Sequence, residues 1–363
     1  MRHKILGVAF AALFALQSGA VDAASTGASS APTSKQVVAK KSVKSNPAKP
    51  APKRAVTKKK SKAKATKSAA TKSAAVRVAA KKTMIAAPAA AAVDPESAAG
   101  DATDALPALG SSAFYVVNQN TGEVLLERNA GAVLPIASIT KLMTAIVVLD
   151  AGQSLSERLT VTAEDIDHLK GTGSRLSLGT ALTREEMLNL ALMSSENRAA
   201  SALARNYPGG ERAFIEAMNV KARLLGLWST RFSDSTGLNP ANVSSPRDLA
   251  RLVSAASSYA LIREFSTAPE RYVDVRGHSM RFGNTNALVK SPEWAISVSK
   301  TGYISEAGRC LVMQTWLHQQ PVVMVLMDSA GRYTRTADAK RVRKWLEHML
   351  PQRLASAPYV SGG

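Results

Sequence analysis

The spacing of apolar positions changes along this 363-residue chain, and each regime predicts a different element. Ala113 to Val117 and Glu123 to Leu126 read as two strands joined by the turn-forming loop Asn118-Gln119-Asn120-Thr121-Gly122. Leu142, Met143, Ile146, Val147 and Leu149 then recur at helical spacing directly after Ser138, which places that serine at a helix N-terminus. Thr183 with Glu186 forms a capping box ahead of the apolar face Met187, Leu188, Leu190, Ala191 and Leu192, and Ser245, Pro246 and Asp248 start another helix. Beyond residue 270 the pattern turns to short apolar runs, Arg271 to Val275, Ala295 to Ser299, Leu311 to Trp316 and Val322 to Met327. These predict an antiparallel sheet, closed by a terminal helix from about Thr336 to Met349. Strands early and late with helices between them predict a mixed α+β domain, an antiparallel sheet flanked by helices.

The chain's first residues follow another grammar. Arg2 and Lys4 precede an apolar run from Ile5 to Leu16 and then small residues up to Ala23. A membrane span needs roughly 20 apolar residues, so the shorter run predicts a cleaved signal peptide over 1–23 and export to the periplasm. Residues 24–93 hold 17 of the 47 Lys and Arg and no acidic residue, among Ala, Ser, Thr, Pro and Val. Dense like charge with few bulky apolar side chains cannot offset the entropy of ordering the backbone, so residues 24–104 are expected to form a disordered basic linker. The formal charge of +20 therefore belongs to the tail, and from Asp94 onward the chain nets +2. Such a tract also suits phosphate neutralisation. Export makes nucleic acid an unexpected partner and leaves a solvated, wall-spanning role or adhesion to an anionic wall or membrane surface.

Residues 105–355 have the length of one domain with a sizeable core, followed by a short tail over 356–363. Cys310, the only cysteine, lies in the apolar run Cys310-Leu311-Val312-Met313 and is expected to be a buried structural thiol. His3, His168, His278, His318 and His348 have no ligand spacing, so no metal or other cofactor is expected.

Three short motifs carry the candidate chemistry. In Ser138-Ile139-Thr140-Lys141 the serine and lysine share one face of a helical turn, so an amine can reach a hydroxyl. A serine alcohol needs a base, and Lys141 can serve if burial and nearby cations depress its pKa. Ser195-Glu196-Asn197, after the helical run ending Leu192-Met193-Ser194, offers a hydroxyl to relay protons and an amide to hold a substrate carbonyl. Lys300-Thr301-Gly302, after Ile296-Ser297-Val298-Ser299, offers a cation, a hydroxyl and a close-approach glycine on a strand edge. Each string alone also fits a plain cap, helix break or turn. The three together, in this order, are the signature set of serine β-lactamases and penicillin-binding proteins.

The segments Pro135 to Thr144, Leu192 to Ala200 and Lys300-Thr301-Gly302 closely resemble the D-alanyl-D-alanine endopeptidases, low-molecular-mass penicillin-binding proteins. Tyr207-Pro208-Gly209-Gly210 and Thr236-Gly237-Leu238-Asn239 also look like that group, and the resemblance spans about residues 110 to 350. It implies a five-stranded sheet flanked by helices, in the DD-peptidase and β-lactamase manner, with the site between sheet and helical lobe. It further implies Ser138 as nucleophile, Lys141 as its base and Ser195 as proton shuttle. Asn197, Lys300, Thr301 and Gly302 would bind substrate, and the backbone N–H groups of Ser138 and Tyr303 would form the oxyanion hole. The implied partners are peptidoglycan cross-links, with β-lactams as covalent inhibitors.

Alternatives within the superfamily separate on sequence. Glu185-Glu186-Met187-Leu188-Asn189 contains the Glu-x-x-Leu-Asn string of class A β-lactamases, but it precedes Ser195 instead of following it. Related carboxypeptidases carry an arginine on the strand after Lys-Thr-Gly and usually continue into a second β domain. The run Pro321 to Asp328 has no arginine, which favours an endopeptidase. A non-catalytic wall-binding protein acting through its basic tail is the rival from another class, opposed by the intact motif residues.

Overall fold

The computed structural model describes residues 106–356, with side chains through Met349, so the expected signal peptide, basic linker and C-terminal tail lie outside the described residues. Early apolar segments form β1 (Ser111–Asn118), β2 (Val124–Arg128) and the short β3 (Leu134–Pro135). A 3₁₀ turn, Ala137–Thr140, leads into α1 (Lys141–Asp150), followed by β4 (Arg158–Thr160), β5 (Ala181–Thr183), α2 (Arg184–Met193), α3 (Asn197–Arg205) and α4 (Gly210–Leu224). Next come β6 (Val243–Ser244), α5 (Pro246–Ala256), α6 (Ala260–Thr267), β7 (Glu270–Val275) and β8 (His278–Gly283). Three long strands, β9 (Ile296–Ile304), β10 (Gly308–Leu317) and β11 (Gln320–Ser329), precede α7 (Thr334–Ser356).

One antiparallel sheet of five strands, in the order β2-β1-β11-β10-β9, organises the domain. First and last strands meet because β1 pairs with β11, Val116 opposite Met324, while β9 is an edge strand with Lys300 opposite Val312. Side chains alternate across the sheet. Val298, Cys310, Val312, Val323 and Val325 face the core shared with the helical lobe, whereas Leu311, Met313, Met324 and Leu326 face Ala339, Val342, Trp345 and Leu346 of α7. Both faces of β10 and β11 are thus covered, which is why those segments read as nearly unbroken apolar runs. Buried Asp338 of α7 fastens the second layer, accepting from the N–H of Ser111 at 2.8 Å and from its hydroxyl at 2.7 Å. Cys310 is buried, and desolvation pushes its thiol up to about 11, as a structural thiol requires.

Within the helical lobe α1 is the central element, with every residue from Lys141 to Val148 buried. Such a helix must be apolar nearly all round, and Lys141 and Thr144 are its exceptions. The expected caps are present: Thr183 Oγ1 accepts from Glu186 N at 3.1 Å, Glu186 accepts from Thr183 N at 2.8 Å, and Ser245 Oγ accepts from Asp248 N at 3.2 Å. Each contributes about 1 kcal/mol by satisfying otherwise unpaired helix-end amides.

Two expectations need correction. The run Arg271 to Val275 does not join the main sheet, because β7 pairs only with β8 in a separate hairpin. Ser138 sits in the 3₁₀ turn, one turn ahead of the α-helix that starts at Lys141. Among the described residues no helix is long and apolar enough to cross a membrane.

Candidate active site

Ser138 is presented by a strained turn. Ala137, fully buried, takes φ +49°, a left-handed conformation that costs an L-residue about 1–2 kcal/mol. Two distant glycines make room for that turn. Gly237, at φ +82°, would place a Cβ 1.9 Å from the Ala137 carbonyl oxygen, and a Cβ on Gly302 of β9 would lie 2.9 Å from the Ile136 oxygen and 3.2 Å from Ser138 N. Thr140 Oγ1 donates to the same Ala137 oxygen at 2.8 Å and accepts from Asn242 Nδ2 at 2.9 Å. The turn that carries Ser138 is therefore wedged between β9 and the loop preceding β6.

Lys141 Nζ lies 3.1 Å from Ser138 Oγ, 2.7 Å from Asn197 Oδ1 and 2.7 Å from the Thr236 carbonyl oxygen. A tetrahedral amine has three positions beyond its carbon, and two of these partners only accept. Once deprotonated, the amine keeps its two N–H bonds on Asn197 and Thr236 and turns its lone pair to Ser138. Burial pushes the amine down to about 7, against the raising influence of Asp234 and then Glu196. Such an amine can take a hydroxyl proton near neutrality.

The amide of Asn197 is oriented from outside the site. Its Nδ2 donates to Thr172 Oγ1 at 3.0 Å, and that hydroxyl donates in turn to Asp167 Oδ2 at 2.7 Å. Burial would raise the Asp167 carboxyl, but bonds from the N–H groups of Lys170 and Thr172, the Thr172 hydroxyl and the Leu169 N–H outweigh it and hold the group below its ordinary value. An acceptor-only carboxylate at the end of the chain leaves Asn197 Oδ1 no direction but Lys141.

Ser195 occupies the break between α2 and α3 at φ +62°. Its Oγ accepts from Lys300 Nζ at 2.9 Å, and the same amine donates to the Thr301 carbonyl oxygen at 3.0 Å. Lys300 is buried, and desolvation, then the charges of Lys141 and Arg335, depress its pKa well below the ordinary lysine value. Thr301 Oγ1 bonds Thr285 Oγ1 at 2.7 Å, while the Tyr303 ring is 54% exposed under the Arg309 guanidinium at 4.3 Å.

The fold thus gathers Ser138, Lys141 and Asn197 in one hydrogen-bonded cluster and Ser195 with Lys300 in a second, near enough for the Lys141 charge to act on Lys300. Sequence reasoning missed four contributors. The Thr236 carbonyl is backbone and carries no residue signature, although Thr236-Gly237-Leu238-Asn239 shares in the family resemblance. Asp167 and Thr172 act at one remove. Arg335, on the first turn of α7 and not on a strand, donates to the oxygens of Gly302 at 3.0 Å and Cys310 at 3.3 Å. A guanidinium thus reaches the Lys-Thr-Gly strand from α7, although the run Pro321 to Asp328 carries none.

Comparison with known proteins decides the family: the family model described as D-alanyl-D-alanine carboxypeptidase matches residues 100–331. The chain belongs to this family. Within it, the chain is 49% identical to a D-alanyl-D-alanine endopeptidase of Pseudomonas aeruginosa, over 66% of this chain and 78% of the relative. It is 44% identical to a D-alanyl-D-alanine endopeptidase of Escherichia coli, over 76% of this chain and 90% of the relative. Among solved structures it resembles a penicillin-binding protein from Listeria monocytogenes in the ampicillin-bound form, at a TM-score of 0.57 and 28% identity, over 66% of this chain and 97% of that one. Membership of the carboxypeptidase family with endopeptidase relatives makes the chain a serine-type D-alanyl-D-alanine peptidase of the penicillin-binding kind, with endopeptidase action.

Proposed function

We propose that this endopeptidase cuts D-alanyl-diaminopimelyl cross-links of peptidoglycan through an acyl-enzyme on Ser138. As Ser138 Oγ attacks the D-alanyl carbonyl, Lys141 accepts its proton, and the oxyanion settles on the N–H groups of Ser138 and Tyr303. The C–N bond breaks as Ser195, polarised by Lys300, gives its proton to the leaving diaminopimelyl amine and takes back the one that Lys141 holds, which leaves Lys141 free to receive a proton from the attacking water. Water then attacks the ester, releases the D-alanyl carboxylate and returns the proton to Ser138. Asn197 and Thr301 hold the substrate, and Gly302 lets its backbone lie along edge strand β9.

The observation that carries this reading is the placement of Lys141, whose two fixed acceptors leave its lone pair facing Ser138. β-Lactams, which mimic the D-Ala-D-Ala end, acylate the same oxygen. The site of action is the periplasm, with residues 24–93 as a wall-spanning tether that adheres to anionic polymer. Arg335 supports a second reading, release of a terminal D-alanine whose carboxylate it would attract. Purified muropeptide dimers separate the two: conversion to monomers is expected, whereas free D-alanine alone would establish the carboxypeptidase. A folded wild-type protein that takes up no fluorescent penicillin, or that labels equally as Ser138→Ala, would overturn the catalytic assignment.

A further inference from the structure

Asp234 belongs to none of the three motifs, yet its carboxylate organises the loop that holds the base. Its oxygens accept from Gly237 N at 2.7 Å, Asn242 Nδ2 at 2.8 Å, Thr236 Oγ1 at 2.9 Å and Asn239 N at 3.0 Å. Those bonds fix the backbone on both sides of Thr236, whose carbonyl oxygen receives Lys141 Nζ. They also seat Gly237 against Ala137, and Asn242 extends the network to Thr140. One carboxylate thereby sets both the turn carrying Ser138 and the acceptor that aims Lys141.

We propose that Asp234 is a positioning residue whose charge and hydrogen bonds hold the Thr236 carbonyl and the Ser138 turn so that the lone pair of Lys141 faces Ser138. The proposal rests on the reading of Lys141 as the base. Burial by itself would leave an amine so weakly basic that it gains little from taking a hydroxyl proton. A half-buried negative charge behind the Thr236 carbonyl offsets that loss. Other charges facing the pair are Glu196 ahead of α3, which acts in the same sense, Lys300 from β9, and Glu211 from α4, whose carboxyl is raised by burial and then by Asp234. Of the carboxylates that raise Lys141, Asp234 acts more strongly than Glu196, so Asp234 is the carboxylate best placed to set the balance.

The test is the pH dependence of second-order acylation by a fluorescent penicillin in Asp234→Asn and Asp234→Ser, beside Thr236→Val. The last cuts the hydroxyl bond to the carboxylate but keeps its charge. Removing the charge lowers the Lys141 pKa, so the acid limb is expected to move down by about one pH unit and the plateau to fall about threefold. Thr236→Val is expected to leave the limb in place. An unmoved limb in a folded Asp234 variant would overturn the proposal, as would an equal shift in Thr236→Val, or loss of the melting transition in both Asp234 variants, which would make Asp234 a folding residue only. Failure of the wild type to label is a separate outcome, since it removes the catalytic reading and not Asp234 alone.

Discussion

Lys300 Nζ stands 2.9 Å from Ser195 Oγ, joining an edge strand to the break between two helices across 105 residues of sequence. Both lysines of the site are buried, and after desolvation the charge of Lys141 lowers Lys300 further, a repulsion that by linkage acts in both directions and couples their titration. Acylation should rise with pH as Lys141 loses its proton and fall again as Lys300 loses its own, with the falling limb below the ordinary lysine range. Lys300→Ala should abolish the falling limb and move the rising limb to higher pH, because a cation beside Lys141 has gone. Penicillin acylation rates from about pH 5 to about pH 10 check this, and a Lys300→Ala profile identical in shape to wild type would refute the coupling.

The glycine at 237 makes a steric prediction. An added Cβ falls 1.9 Å from backbone at Ala137, where no side chain can yield, and φ +82° disfavours any L-residue. Gly237→Ala should cost about 2–4 kcal/mol of stability and reduce acylation at least about 100-fold by displacing Ser138. Melting temperature and labelling rate measure the two effects. Wild-type labelling in the variant would mean that the turn relaxes freely.

How much of this was legible in sequence depended on the kind of interaction. Ser138 and Lys141 could be paired because three residues on a turn bring side chains together whatever surrounds them. The strands β9, β10 and β11 announced themselves because burial on both faces demands continuous apolar runs. By contrast β8, His278–Gly283, is half exposed, lacks a continuous apolar run and pairs only with β7, so nothing in its pattern marked it. The strands of two or three residues, β3 to β6, are too short to show a period. Arg335 escaped notice because its reach to Gly302 depends on where α7 begins relative to the sheet, a tertiary fact.

The same lesson applies to Asp167, which bonds to neither Ser138 nor Lys141 but to Leu169, Lys170 and Thr172. Its carboxylate forces Thr172 to donate toward it and hence to accept from Asn197. In Asp167→Asn a side-chain NH₂ can face Thr172, whose hydroxyl would then donate to Asn197 and reverse that amide, presenting Nδ2 to Lys141. Acylation should drop about tenfold with the melting temperature nearly kept. Thr172→Val should show a smaller loss, since it frees the amide without reversing it. Equal, undiminished rates in both variants would show that the amide is oriented by other contacts.

Lys141 should also register in stability. Its folded pKa of about 7 lies below the ordinary 10.5, so between those values the unfolded chain binds a proton that the native state does not. Stability from this group therefore rises with pH across that window, and its full cost is present below it. Lys141→Met removes the titration. Compared with wild type, the variant should gain about 4 kcal/mol in relative stability on going from about pH 10 to about pH 6, because each pH unit inside the window changes the balance by about 1.36 kcal/mol. Urea unfolding at the two pH values measures the difference, and titrating groups that do not interact with Lys141 cancel in the comparison. A variant whose stability relative to wild type is the same at both values would mean that Lys141 remains charged in the folded protein, and an ammonium cannot serve as the base for Ser138.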